Sequence, residues 1–183
     1  WSPNAVKAAL MSTANPSGVG DWNVRRGGTG MVAARAATDT VAYLSTRDGR
    51  DNLSFGFRQL RGAWSDTRTI RLTNTSNSNL TYDLSTQLDT LGLSGFTAHL
   101  EPSVARVEPH SSREIEVTLR IRDPQHLPDA LSDDAGGLST ISGLLIATPR
   151  SAAAGVYTLR AALLLVPYGI SDVQARSVES HDA

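Results

Sequence analysis

Two hydrophobic periods run along the chain, and one gives way to the other near residue 50. Up to Leu44 apolar residues recur at three- and four-residue spacing, and from Leu53 onward they alternate with polar ones. The first spacing lines one stripe of a helix, the second one face of a strand. Over residues 1–14, WSPNAVKAALMSTA, Ser2 is placed to cap a helix and Pro3 to open it, where a missing N–H costs nothing. Trp1 can staple onto Val6, and Val6, Ala9, Leu10, Thr13 and Ala14 form a stripe that wants burial. Asn15-Pro16 ends it, because the residue before proline is pushed out of the α region. A helix of about 13 residues is marginal alone in water, so it needs a partner surface. Residues 17–30 read as loop. Residues 31–44 read as a second and last helix, with Val32, Ala36, Ala37, Val41 and Leu44 in phase.

The polar run of residues 45–52 separates the two regimes. It places a boundary between a helical piece, residues 1–46, and a β domain, residues 47–183. Leu53, Phe55 and Phe57 make the first strand. Ile70 and Leu72 alternate with arginine and threonine, and Leu80, Tyr82 and Leu84 follow after NTSNSN, which predicts an antiparallel pair. Phe96, Ala98 and Leu100 form another strand and residues 104–107 a short one. Ile115, Val117, Leu119 and Ile121 give the cleanest alternation, and residues 141–148 and 156–166 complete the set. Residues 123–139 predict a short helix capped by Asp123, then a loop. Both faces are apolar from Leu163 to Val166, so that strand is covered on both sides or meets a neighbouring domain. Seven or eight short strands with turns between them predict a mainly β, antiparallel sandwich of the fibronectin-type-III or immunoglobulin sort.

The opening words carry a resemblance. W-S-P-x-x-V-K-x-A-L-M-S-T-A, matched by Trp1, Ser2, Pro3, Val6, Lys7, Ala9, Leu10, Met11, Ser12, Thr13 and Ala14, resembles the segment that follows the catalytic-serine helix in subtilisin-like serine proteases. A glycine-rich block and an alanine-rich helix come next in that family, and Gly28, Gly30, Val32, Ala36 and Ala37 fit that place. Members with extended C-termini often carry a fibronectin-type-III-like domain, similar here at Leu53-Ser54-Phe55-Gly56, Leu72-Thr73-Asn74, Leu80-Thr81-Tyr82 and Leu165-Val166-Pro167-Tyr168.

The resemblance implies a non-catalytic C-terminal piece of a bacterial, secreted or cell-wall endopeptidase: a two-helix remnant of its α/β domain joined to the sandwich. The family's aspartate, histidine and serine lie upstream of Trp1, so no catalytic, cofactor-binding or metal residue is carried over. The implied partners are the upstream catalytic domain and protein substrate. On that reading no residue before Ser45 enters the sandwich as a strand. The rival from a different class is a free-standing extracellular adhesion or carbohydrate-binding module. A protease-like scaffold without its triad is a third.

Charge and chemistry narrow this further. Seventeen basic and eighteen acidic residues give a net charge of −1, which supplies no field for nucleic acid or an anionic membrane, and no apolar run spans a bilayer. Lys7 is the only lysine, and there is no cysteine for a disulfide or thiolate site. Residues 28–33 match G-x-G-x-x-[GA], but no strand precedes them, so a tight turn outweighs a dinucleotide site. A new triad would need His99, His110, His126 or His181 between a serine and a carboxylate, and each reads as surface histidine. Asp133-Asp134 and residues 48–52 hold hard ligands without calcium-loop spacing. Asn52, Asn74 and Asn79 are sequons that matter only in a glycosylating host. Trp22 and Trp64 in loops could stack on a sugar, although buried anchoring is the commoner role. Tyr168 reads as packing at the sandwich end.

Overall fold

The computed structural model describes residues 1–49, 51–89, 95–123, 127 and 140–170. Helices come first: α1 (Pro3–Ser12), a 3-10 turn (Pro16–Gly18), α2 (Val24–Gly27) and α3 (Ala34–Asp39). Among the described residues nine strands follow: β1 (Ala42–Ser45), β2 (Asn52–Leu60), β3 (Trp64–Asn74), β4 (Leu80–Asp89), β5 (Phe96–Glu101), β6 (Val104–Val107), β7 (Ser112–Ile121), β8 (Ile141–Pro149) and β9 (Leu159–Gly169). They form two sheets, ordered β1-β3-β7-β5 and β2-β9-β8-β4-β6, packed as a sandwich. All pairs are antiparallel except β2 with β9.

Alternation builds the core. Leu53 and Phe55 of β2, Ile70 and Leu72 of β3, Leu80 and Tyr82 of β4, and Ile115, Val117 and Ile121 of β7 point inward and are almost wholly buried. Their polar neighbours line the outer faces, where Thr67 meets Thr118 at 2.8 Å and Thr73 meets Ser112 at 3.0 Å across the β3–β7 register. Burial of one face per strand is the stabilising term that fixes this register, since a one-residue slip would turn every apolar side chain outward.

Five expectations change. The helix expected over residues 31–44 is only six residues long. Its last third is β1, with Ala42 and Leu44 buried and Tyr43 and Ser45 half-buried on the other face. Val41, Ala42 and Leu44 fit both periods, and β3 has an open edge for β1 to pair with, so the strand wins. The boundary expected at residue 46 is therefore crossed, and residues before Ser45 do enter the sandwich. The antiparallel pair expected of residues 70–72 and 80–84 is absent: β3 and β4 lie in different sheets. Asn74 makes the arch between them, its Nδ2 donating to the carbonyls of Ser78, Val107 and Glu108, while its Oδ1 accepts from the Ser76 N–H. Trp64 starts β3 instead of lying in a loop, and the last strand begins at Leu159, three residues later than expected. The helix expected after Asp123, His126, Asp133-Asp134 and His181 lie outside the described residues.

Candidate functional site

The helical segment meets the sandwich through small side chains and three polar pins. Ser2 Oγ accepts from the Ala5 N–H at 3.2 Å and Pro3 opens the helix, as the sequence predicts. The predicted stripe is buried in part: Ala9, Thr13 and Ala14 are covered, together with Ala8 and Ser12, whereas Leu10 is half-buried, Val6 is 47% and Trp1 62% exposed. The small residues Ala8, Ala9 and Ser12 allow the α1 backbone to approach β1 closely, and an isopropyl group at their place would hold it off. Trp1 leans on Tyr43 of β1, with ring centroids 5.6 Å apart.

The first pin is Ser12. Its Oγ donates to the Leu44 carbonyl at 3.2 Å and accepts from the Leu44 N–H at 2.9 Å, filling the place of a neighbouring strand at the β1 edge. The second is Lys7, whose Nζ lies 3.2 Å from Oδ2 of Asp51, at the foot of β2. Asp51 is buried and Lys7 is half exposed. Burial pushes the Asp51 carboxyl above the usual carboxylate range, and the Lys7 ammonium offsets only part of that. The third is Arg160 of β9, which donates to the Ala14 carbonyl at 3.1 Å from a half-buried position that lowers its own pKa by desolvation.

With its small face spent on the sandwich, α1 presents a second apolar face. Trp1, Val6 and Leu10 line a groove closed on the other side by Ala34, Ala37 and Thr38 around α3. Met31 and Val32 nearby are more than half exposed. The turn into α3 depends on Gly30. Its φ is +115°, and a Cβ there would come within 2.3 Å of the Asn15 carbonyl carbon. Gly30 thus serves close chain approach at the Asn15–Met31 bridge, while Gly28 has open space around it and a φ of +53°.

The remaining candidates separate. His99 is on the outer face of β5 with Glu101 at 4.0 Å, and His110, at φ +52°, holds Asn77 Oδ1 at 2.7 Å through Nε2. Neither is hydrogen-bonded to a serine. Among the described residues no three metal-ligating side chains converge. Trp64 packs edge-on against Phe55 at 6.3 Å and Trp22 packs over Gly27, so both indoles anchor structure. Tyr168 is half-buried and packs, as its expected role requires. It stacks on Phe57, which is 50% exposed, with centroids 6.2 Å apart. Sequence reasoning missed this pair and the Lys7–Asp51 contact, because partners so far apart in sequence carry no local signal.

No protein-family model matches the chain, and no curated protein matches it. Among solved structures, the chain is similar to a PapD-like domain of human CEP192, at 13% identity and TM-score 0.46 over 73% of this chain and 89% of that one. It is also similar to the secreted serine protease VesC from Vibrio cholerae, at 16% identity and TM-score 0.41 over 64% of this chain and 22% of that one. The Pseudomonas aeruginosa CupB2 chaperone follows at 20% identity and TM-score 0.36, over 64% of this chain and 53% of that one. At these TM-scores the likenesses say nothing of what this chain does.

Proposed function

We propose that the chain is the C-terminal part of a subtilisin-like serine endopeptidase, in which the sandwich is a non-catalytic module held to the protease body by α1. The observation that carries this is the two-faced helix. Its sequence resembles the protease segment that follows the nucleophile helix, its small face is pinned to the sandwich, and its large apolar face, Trp1, Val6 and Leu10, is open. An apolar groove of this kind on a short helix favours a second partner, and the protease body is the partner the motif names. The module would stiffen that body and shape the approach of large substrates, outside the cell or at its wall.

The strand β1 counts against the protease lineage itself, which expects no residue before Ser45 in the sandwich core, whereas Ala42 and Leu44 lie in it; what still supports the reading is the motif of residues 1–14. The motif-bearing segment, residues 1–39, holds helices and turns joined by a single bridge, and the junction moves to Thr40. Reading the frame upstream of Trp1 tests the idea. An aspartate, histidine and G-T-S-M-A series there is the expected result. Another adhesion-type module in that place would overturn it. Where the series is present, ending the protein at Thr40 should lower its melting temperature and slow cleavage of large substrates.

A further inference from the structure

Among the described residues the sandwich has four edge strands, and they are guarded unequally. Ser12 occupies the backbone of Leu44 on β1, and β6 has only four residues. On β5 the outer face carries His99 and Glu101, so charge flanks that edge. On β2 a side chain occupies the outward backbone only in the first half, and in the second half Arg58 is ion-paired with Asp66 of β3 at 3.4 Å. Arg68, with its guanidinium 5.4 Å over the Phe55 ring, donates through Nε to the Ser54 carbonyl at 3.3 Å. A bulge at Gly56, φ +74°, then resets the alternation.

Beyond the bulge the direction of the backbone groups follows from one bond. The Leu60 carbonyl accepts from the Ile170 N–H at 3.0 Å, on the β9 side. Successive residues of a strand turn their N–H and C=O to opposite edges, so those of Gln59 and Phe57 face the free edge. Among the described residues no strand pairs with β2 there. Beside this open edge stands the exposed Phe57 ring stacked on Tyr168, with Leu164, 38% exposed, on the same face of the sheet. Unpaired backbone groups next to an aromatic step define their own ligand: a chain in extended conformation with apolar side chains at every second residue.

We propose that the β2 edge over residues 57–60 is a strand-addition site for an extended polypeptide carrying alternate apolar side chains. Backbone bonds to Phe57 and Gln59 would supply register, and the Phe57–Tyr168 step would take one side chain. The site requires no upstream domain, so it stands or falls apart from the protease reading.

The probe is a capped alternating valine–threonine peptide of about six residues, the length of an ordinary strand. It is titrated into the full chain while amide exchange is followed. The peptide should bind and slow exchange at the Phe57 and Gln59 amides. Gln59→Pro removes the outward N–H at an edge position where proline is tolerated; it should keep the melting transition and weaken binding at least about tenfold. A copy of the peptide N-methylated at alternate residues should also fail to bind. Binding that survives either change would show an apolar patch without strand addition and would overturn the proposal. So would no binding at all, or protection of the same amides by protein concentration alone, which would make a second copy of the chain the occupant.

Discussion

The sandwich core is built from large side chains: Phe55, Ile70, Tyr82 and Ile115 have no solvent contact, although Phe57 outside the core is 50% exposed. In α1 the covered side chains are small, with Ala8 and Ala9 buried and Trp1 and Val6 in solvent. The sandwich is closed on itself by apolar volume. The helical segment is attached by close approach and by polar pins, so its attachment depends on a few directed contacts. A region whose large apolar groups are already inside has finished folding, whereas one that keeps them outside has surface left for a partner.

Substitutions should grade along that contrast. Phe55→Ala removes a fully buried ring that touches Trp64 and Arg68, and should cost about 3–5 kcal/mol of global stability in denaturant unfolding. A loss below about 1 kcal/mol would mean that the core repacks and the contrast fails.

Lys7→Met leaves the Asp51 carboxylate buried without its counter-charge. The expected cost is about 1–2 kcal/mol, less than for a fully buried pair because Lys7 is half exposed. Asp51 has a folded pKa above its unfolded one, so the folded chain holds that proton more tightly. Stability therefore gains as pH falls through the raised pKa, and the deficit is fully present above it. Removing Lys7 raises that pKa further, so the gap between variant and parent should narrow on acidification. Unfolding curves at neutral and mildly acidic pH check this; a constant gap would remove Asp51 from the account.

Ser12→Ala strips two hydrogen bonds from Leu44 and should cost about 1–2 kcal/mol. Faster amide exchange at Leu44, with little change at Ile115, would show that the loss stays at the β1 edge. The smallest effect belongs to the open face. Val6→Ser should shift the stability of this chain by no more than about 0.5 kcal/mol, yet weaken a longer protein in which the proposed protease body covers the groove. Equal behaviour in both settings would leave the groove without an occupant.

Much of the sandwich was legible because a strand with one buried face writes its burial directly into alternate positions. β2, β4 and β7 all lie where alternation put them. The β3–β4 arch was not, because NTSNSN permits a hairpin equally well. What decides is that Asn74 finds the carbonyls of Val107 and Glu108, more than thirty residues away. β1 was misread for a related reason: over four residues the helical and strand periods overlap, and an open edge on β3 breaks the tie.

The sequence by itself determined which residues would be apolar on one side, where α1 starts and stops, and that a β-sandwich follows. Those are consequences of short-range sterics and period. Only the tertiary structure decided which face of α1 is spent on the sandwich, that the single lysine meets a buried carboxylate, and that Phe57 and Tyr168 form a step beside an open edge. Each is a contact between segments far apart in sequence, fixed by how tightly two surfaces can approach, and no local pattern encodes that distance.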